Sequence, residues 1–161
     1  MNRQRLVAGL HAGGLFAVLG VIAWAAGTPF VFPSLGPSAF VLAFGDRIDR
    51  TRRTVVGAHA VGAAAGLLSY LAFGDGATVT ASFAAFSVTG AQLAASGTLS
   101  VVLTAWGMFA VDAVHPPACA TTLIVSLGLL ATPVEAVVIV VSVAVLVETH
   151  RLLAPVTLAA D

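Results

Sequence analysis

The sequence predicts an all-α membrane protein, built from about six membrane segments arranged as two inverted repeats of three. Three observations support this: the composition, several apolar runs of spanning length, and an approximate repeat with a period of 80 residues. Hydrophobic residues make up 59% of the 161 residues and charged residues only 9%, and the mean hydropathy is +1.04. Soluble domains carry about 25% charged residues. Residues 1–161 are therefore expected to form a single transmembrane domain.

Four stretches have the length of a spanning helix, which needs about 20 mostly apolar residues. They are Leu6–Ala26, Thr54–Phe73, Phe86–Trp106 and Val134–Leu153. Arg3 and Arg5 precede the first stretch, as in a secretory signal peptide, but the apolar run exceeds the length of a usual signal-peptide core. The first stretch is accordingly predicted to be a transmembrane helix.

Two further apolar stretches are interrupted by proline. Residues 28–45 and 108–130 each contain prolines, followed by a short helix-like run. Proline is well tolerated only in the first turn of a helix, so short helices are predicted to begin near Pro37 and near Pro116 or Pro117. A helix of about nine residues rises only about 14 Å, roughly half of the hydrocarbon thickness. Each middle segment is therefore predicted to be a broken half-helix that begins at mid-membrane.

The arginines favour six crossings over four. With six crossings, every arginine lies on one side of the membrane, namely Arg3, Arg5, Arg47, Arg50, Arg52, Arg53 and Arg151. The loops on the other side hold Asp75 and Glu135 and no arginine. By the positive-inside rule, a multi-pass protein of the cell membrane with both termini in the cytoplasm is expected.

The two halves of the chain share a pattern. A shift of 80 residues places residues 6–73 on 86–153, and Pro37 on Pro117. Three crossings per half is an odd number, so the halves would enter the membrane from opposite sides, as in many secondary transporters. Coincidence between two apolar segments is the alternative. In an inverted repeat the two half-helices point their N-termini at one another.

Two facing helix N-termini would form an anion site. Each carries about half a positive charge and several unpaired N–H groups, which bind anions without a buried cation. The candidate substrate-binding residues are Ser34, Gly36, Pro37, Ser38, His115, Pro116, Pro117 and Ala118. Ser34 and His115 could instead only cap helices. Asp112 either pairs with His115, as a gating or proton-coupling group, or is an ordinary polar residue at the membrane surface.

The remaining polar residues suggest packing more than chemistry. His11 and His59 lie within predicted spans and are interpreted as hydrogen-bond partners between helices. Glu148, His150 and Arg151 mark the end of the last span. Neither a metal-ligand spacing nor a nucleophile motif is present, so no metal, no cofactor and no enzyme activity are expected. Cys119 stands alone, which excludes an intrachain disulfide, and no basic patch predicts nucleic-acid binding.

Two tracts of the chain resemble the HPP family of integral membrane proteins. One is His115–Pro116–Pro117–Ala118 with the following Cys-Ala-Thr-Thr, and the other is residues 32–42, Phe-Pro-Ser-Leu-Gly-Pro-Ser-Ala-Phe-Val-Leu. The likeness extends over nearly all of the chain. The family is usually described with four spans, and some members are linked to nitrite transport. The resemblance implies a transporter of a small inorganic anion, with nitrite as the leading candidate.

Three functions remain open from the sequence. The first is a small-anion transporter in which one repeat moves against the other. The second is a passive anion channel on the same fold. The third is a membrane enzyme or sensor that uses Asp112 and His115. The lipid bilayer and a small anion are the expected partners, and the glycine pairs Gly9–Gly13 and Gly62–Gly66 leave a homo-oligomer open.

Overall fold

The computed structural model describes residues 3–44 and 51–158, and this part of the chain is all-helical. Six α-helices follow one another: α1 Arg3–Ala26, α2 Val31–Phe44, α3 Arg52–Phe73, α4 Val88–Ala110, α5 Cys119–Ser126 and α6 Pro133–Leu158. A 3₁₀ turn, Pro116–Ala118, leads directly into α5. The predicted all-α fold class is thus confirmed, whereas Arg47 and Arg50 lie outside the described residues.

Four helices are long and apolar enough to cross a membrane. The candidate spans are Leu6–Ala26, Arg52–Phe73, Val88–Ala110 and Pro133–Leu153. Each begins or ends within a few residues of a span predicted from the sequence. The first of them packs into the bundle, where Leu15 and Leu19 are fully buried. Two shorter apolar helices, Val31–Phe44 and Pro116–Ser126, lie between the long ones.

The ends of three long helices meet at one end of the bundle. The Nε2 atom of His11 in α1 lies 2.9 Å from Nδ1 of His150 in α6, and the Arg52 guanidinium at the start of α3 lies 3.4 Å from the Glu148 carboxylate in α6. We call this the arginine end, because it holds Arg52, Arg53 and Arg151. Since α1 and α3 both start there, α2 must carry the chain back between them.

The second half of the chain repeats this pattern of long, short and long helices. The Arg53 guanidinium donates to the carbonyl of Val111, just after α4, at 3.4 Å. Helix α4 therefore ends at the arginine end, and α5 carries the chain away from it. The amide of Val79, in the loop after α3, donates to the Leu127 carbonyl at 3.0 Å, which places the end of α5 near the opposite end of the bundle.

The predicted start of the first short helix is wrong. Helix α2 begins at Val31, six residues before Pro37, which lies inside the helix. Helix α1 ends at Ala26, and the following Gly27, with a φ of 65°, lets the chain reverse at once. The Thr28 amide then donates to the Ala23 carbonyl at 2.9 Å, which closes the turn. Only residues 27–30 connect α1 to α2. This is too short for an extended segment before the helix, so α2 starts directly after the turn.

The second short helix begins as predicted, at Pro116, but it is shorter than predicted. It ends at Ser126, before the predicted limit of residue 130. Gly128 has a φ of 82°, and the Leu129 amide donates to the Ile124 carbonyl at 3.1 Å. This glycine-based termination caps the last carbonyls of the helix and turns the chain towards α6.

The two short helices lie side by side and antiparallel, and the predicted head-to-head meeting of their N-termini is wrong. Ser34 of α2 contacts Thr121 of α5, with 2.7 Å between the hydroxyl oxygens. Ser38, one turn further along α2, contacts His115, which precedes α5. From Ser34 to Ser38 the chain advances along α2, while their partners go back from Thr121 to His115. The two segments are therefore antiparallel and overlap along their lengths.

Helices α3 and α5 approach closely at two glycines. A Cβ atom on Gly62 would lie 2.7 Å from the Thr122 hydroxyl, and one on Gly66 would lie 2.8 Å from the Thr122 carbonyl. Small residues of this kind allow two helix backbones to come together in a membrane. Gly9 and Gly13, in contrast, would meet no atom within 4 Å. Only the second glycine pair packs within the chain.

Helix α4 begins with a side-chain cap that provides a first testable prediction. The Ser87 hydroxyl accepts a hydrogen bond from the Gly90 amide at 3.2 Å. Removing such a cap leaves an amide unpaired and costs about 1 kcal/mol. We expect Ser87→Ala to lower the free energy of unfolding by this amount, measured by denaturant titration in detergent. Ser82→Ala, an exposed position in the same loop, should leave it unchanged; equal losses would contradict the capping role.

Candidate functional site

Five buried polar side chains meet where α2, α3 and α5 come together. Ser34, Ser38, His59 and Thr121 are fully buried, and His115 is 2% exposed. They form one continuous series of hydrogen bonds, which we call the polar chain, in the order Ser34–Thr121–His59–Ser38–His115. Each buried polar group is expensive in an apolar bundle unless it is paired, so this concentration of five is the most unusual feature of the interior.

The contacts along the polar chain are short. The Thr121 hydroxyl oxygen lies 2.7 Å from that of Ser34 and 2.6 Å from Nδ1 of His59. The Ser38 hydroxyl oxygen lies 2.7 Å from Nε2 of His59 and 2.9 Å from Nε2 of His115. Ser38 therefore bridges two imidazole rings whose centroids are 5.7 Å apart. Thr121 bridges the other nitrogen of His59 to Ser34.

Local geometry on α2 explains how two serines reach different partners. Ser34 and Ser38 are separated by one helical turn, so both hydroxyls lie on the same face of α2. Pro37 stands between them and has no N–H group, so the bond that a helical amide would make to the Pro33 carbonyl is absent. The buried Leu35 and Leu42 anchor α2 in the core on both sides of this interruption.

His115 is placed by the turn between α4 and α5. Its backbone is extended, with φ −141° and ψ 92°, at the residue that precedes the 3₁₀ turn. The ring makes no capping bond to that turn and instead reaches across to Ser38. His115 thus stands at the cap position that the alternative interpretation expected but makes no side-chain capping bond, and Ser34 lies within α2.

Backbone amides do not converge on this site, in contrast to the prediction. Gly36 lies inside α2, where amides normally bond to the carbonyl four residues earlier. Pro37, Pro116 and Pro117 have no amide hydrogen, and the Ala118 amide donates to the His115 carbonyl at 3.0 Å. The donors that face each other are side-chain hydroxyls and imidazoles. The predicted segments do meet, but through different atoms.

Asp112 lies at the surface. It has a φ of 51° and lies two residues beyond the end of α4 at Ala110, where the next amide, that of Ala113, donates to the Met108 carbonyl at 3.0 Å. Aspartate is one of the few residues other than glycine that tolerate this conformation. Its carboxylate is exposed, and within the described residues it forms no hydrogen bond or ion pair. The hydrogen bond to His115 that the sequence left open is not seen.

A second polar contact ties α4 to α5 beside the polar chain. The Thr104 and Thr122 hydroxyl oxygens are 2.8 Å apart, and the Thr122 hydroxyl also donates to the Ala118 carbonyl at 3.3 Å. The latter is the back-bond to the helix that threonine commonly makes. Thr122 thus has a packing role, whereas its neighbour Thr121 joins two other helices.

The polar chain consists of neutral hydrogen-bonding side chains. Three hydroxyls and two imidazoles can all donate hydrogen bonds, and the polar chain includes no carboxylate. Among the described residues, no group of three or more His, Cys, Asp or Glu side chains is arranged to hold a metal ion. Every link now joins two members of the polar chain, so an entering ligand must replace some of these bonds.

The family model for the HPP transmembrane region matches residues 2–157. The chain belongs to the HPP family. The match includes both tracts on which the resemblance rested, and with them every member of the polar chain. No curated protein and no solved structure matches this HPP chain.

Two members of the polar chain were not predicted as site residues of this HPP protein. His59 was expected to be a hydrogen-bond partner between helices, and it is one, but it also occupies the centre of the series. Thr121 belongs to the Cys-Ala-Thr-Thr tract after His115–Ala118 but was not among the predicted site residues. The available signal was the histidine itself, because an ionisable residue inside a span is expensive and usually functional.

Proposed function

We propose that this HPP protein transports a small inorganic anion across the membrane, and that the anion binds at the polar chain. The observation that carries the proposal is the continuous series of hydrogen bonds through five buried side chains, all of which can donate. Their hydroxyl and imidazole groups can turn from each other to an anion. A structural need alone can be met by apolar packing, whereas donors gathered at one place can also bind a ligand.

Nitrite is the leading substrate in this proposal. It is small and monovalent, and its oxygen atoms accept hydrogen bonds from O–H and N–H donors. The hydroxyls of Ser34, Ser38 and Thr121 would bind it together with the rings of His59 and His115. The HPP resemblance supports nitrite over other anions. Gly36, Pro37 and Pro116–Ala118 would shape the walls of the site without donating to the anion.

The proposed transport cycle uses the repeated order of long, short and long helices. We infer that α1–α3 and α4–α6 are inverted repeats whose middle helices act as half-length elements, and that one repeat moves against the other. The antiparallel contact of α2 with the segment 115–121 lies where such a movement would open the site. The arginine end would face the cytoplasm of a cell membrane, with both termini there.

Removal of the His115 ring tests the proposal. We expect His115→Ala to reduce nitrite uptake into proteoliposomes by about a hundredfold, because one donor is lost and the Ser38 bridge is broken. Uptake is measured as nitrite retained in the vesicles at pH 8, with protein-free vesicles subtracted. His11→Ala is the matched control, since His11 is also a buried histidine but pairs with His150. Undiminished uptake by a folded His115→Ala protein would contradict the site.

Binding offers a second test that does not depend on flux. An anion that binds the folded protein raises its melting temperature by mass action, by an amount equivalent to about 2.7 kcal/mol at a hundred times its dissociation constant. Nitrite should stabilise the wild-type protein in detergent and fail to stabilise His115→Ala. If nitrite and other small monovalent anions had no effect on the wild type, binding at the polar chain would be rejected.

A further inference from the structure

We propose that anion transport is coupled to one proton per anion, and that His115, Ser38 and His59 form the relay that takes up this proton. This inference rests on the proposed function and adds the coupling ion. It follows from three features of the site: the bridging position of Ser38, the two opposite nitrogen contacts of His59, and the absence of a charged side chain within the polar chain.

The first step concerns charge. A monovalent anion among neutral donors in an apolar bundle would be a buried charge without a partner, which is very costly. The polar chain holds two groups that can become cations, His59 and His115. Protonation of either ring would give the bound anion a counter-charge. Protonation of both is disfavoured, because like charges would then lie in rings whose centroids are 5.7 Å apart. One proton per anion is the balanced state.

The charged and titratable groups around the polar chain have other partners or are exposed, so the counter-charge for the anion is assigned to His59 or His115. Arg52 and Arg151 both pair with Glu148 at the arginine end. Arg53 reaches the Val111 carbonyl, and Asp112 is exposed.

The other titratable side chains on the packed helices do not belong to the polar chain. His11 and His150 contact each other, Glu135 accepts from Thr132, and Tyr70 donates to the Ala77 carbonyl. Cys119 is a free thiol at the start of α5. Within Val31–Phe44 and Val88–Ala110 the sequence has no titratable side chain. None of these groups stands between the two histidines of the relay.

The second step concerns the direction of the hydrogen bonds. A neutral imidazole donates from one nitrogen and accepts at the other, and a hydroxyl has one hydrogen to donate. If His115 Nε2–H donates to Ser38, the Ser38 hydroxyl is free to donate to Nε2 of His59. His59 then carries its own hydrogen on Nδ1 and donates it to Thr121. All contacts of this arrangement are 2.9 Å or shorter.

The third step is the transfer itself. A proton that binds the neutral His115 ring makes it a cation. The His115 Nε2–H bond then breaks as an O–H bond forms on Ser38, and the original Ser38 O–H bond breaks as an N–H bond forms on Nε2 of His59. Two bonds break and two form. His115 is again neutral, and His59 is the cation, with both of its N–H groups donating to hydroxyls.

His59 is well placed to hold the proton beside the anion. Its two hydroxyl partners, Ser38 and Thr121, lie on different helices, so the cation can give up one partner to the anion and keep the other. Proton uptake is expected from the arginine end, since His115 lies just beyond Val111, where α4 ends next to Arg53. When the anion leaves, the proton leaves with it, and the relay returns to its neutral state.

The experiment measures proton and anion movement together in proteoliposomes that contain the full chain. An outward-to-inward nitrite gradient is imposed at pH 8, and internal pH and nitrite are followed, with protein-free vesicles subtracted. A potassium diffusion potential is then applied. The proposal expects one proton to enter per nitrite and expects the flux to be unaffected by the potential, because the coupled pair carries no net charge.

The outcomes separate this inference from the function on which it rests. Nitrite flux without proton uptake, driven by the applied potential, would overturn the relay and leave the transporter in place. No nitrite flux above that of protein-free vesicles would overturn the proposed function and the relay with it. A proton-to-nitrite ratio near one, with no effect of potential, would support both.

A substitution at His59 tests whether this residue takes up the proton. Glutamine has a similar reach and a donor and an acceptor, but it cannot pass a proton. We expect His59→Gln to lower proton-coupled flux about a hundredfold, and any residual nitrite flux should become sensitive to the applied potential. His11→Gln is the matched control and should keep the wild-type ratio. If folded His59→Gln retains a ratio near one and remains insensitive to the potential, His59 is not the relay group.

Discussion

Gly66→Val is expected to separate α5 from α3 and to destabilise the protein by about 3 kcal/mol. A Cβ atom at this position would lie 2.8 Å from both the Thr122 carbonyl and the Val125 Cβ. Neither is the end of a flexible side chain, so the helices themselves must move, and overpacking of this kind costs about 1–3 kcal/mol or more. The measurement is the free energy of unfolding by denaturant titration in detergent micelles.

Gly13→Val is the matched control for this prediction. It introduces the same side chain into another long apolar helix at a glycine that has no neighbour within 4 Å. We expect its stability to remain within about 0.5 kcal/mol of the wild type, as at other positions without tertiary contacts. Similar losses in both variants would mean that valine disturbs the helices generally and that the α3–α5 contact is not especially tight.

Thr121→Val is expected to abolish most transport and also to weaken the fold. Valine has nearly the same shape as threonine, so packing is preserved, but the bridge between His59 and Ser34 is lost. A buried group that loses its partner costs about 1–3 kcal/mol. Two such groups remain in this variant, and transport should fall about a hundredfold because His59 loses the partner of its Nδ1 atom. Proteoliposome flux and unfolding titration together test both effects.

Thr98→Val is the corresponding control. Thr98 is exposed on α4, and its hydroxyl donates only to the Ala94 carbonyl of its own helix. Stability and transport should both stay near the wild-type values. A Thr121→Val protein that folds normally and transports at the wild-type rate would show that the series of hydrogen bonds is not needed for the cycle.

The long helices could be predicted from the sequence because apolar length alone determines them. The run Leu6–Ala26 has no polar interruption except His11, and the apolar run of α3 follows Arg53 directly. Lipid allows only helices or closed barrels to span it, so a run of this length has few alternatives. The positions of Arg52, Glu148 and Arg151 at one end of the bundle also follow from the predicted distribution of charge.

The start of α2 could not be predicted because proline can occupy two different kinds of position in a helix. Proline suits the first turn, but it is also tolerated in the interior of a membrane helix when neighbouring helices replace the lost bond. Pro33 takes the first role and Pro37 the second. The deciding factor was the sharp turn at Gly27, which brings the chain back into the bundle before either proline is reached.

The atoms that face the site also depend on where α2 starts. A helix that starts at Pro37 would present free amides near Gly36, whereas a helix that starts at Val31 has already used them. The sequence therefore identified Ser34, Ser38 and His115 as neighbours, and the structure brings them together, but through their side chains. His59 and Thr121 entered the site because of the register between α3 and α5, which the Gly62–Gly66 contact sets and which no local pattern reveals.

The distance of His59 from the arginine end has an electrical consequence. His59 follows Arg52 by seven residues, and a rise of about 1.5 Å per residue places it about 10 Å deep in a hydrocarbon core of about 30 Å. An ion that arrives from that end would cross only about one third of the membrane field before it binds. An anion without its proton would thus bind with about 0.8 kcal/mol of electrical work per 100 mV on the shallow side and the remainder on the other, whereas for the anion together with its proton the two contributions cancel.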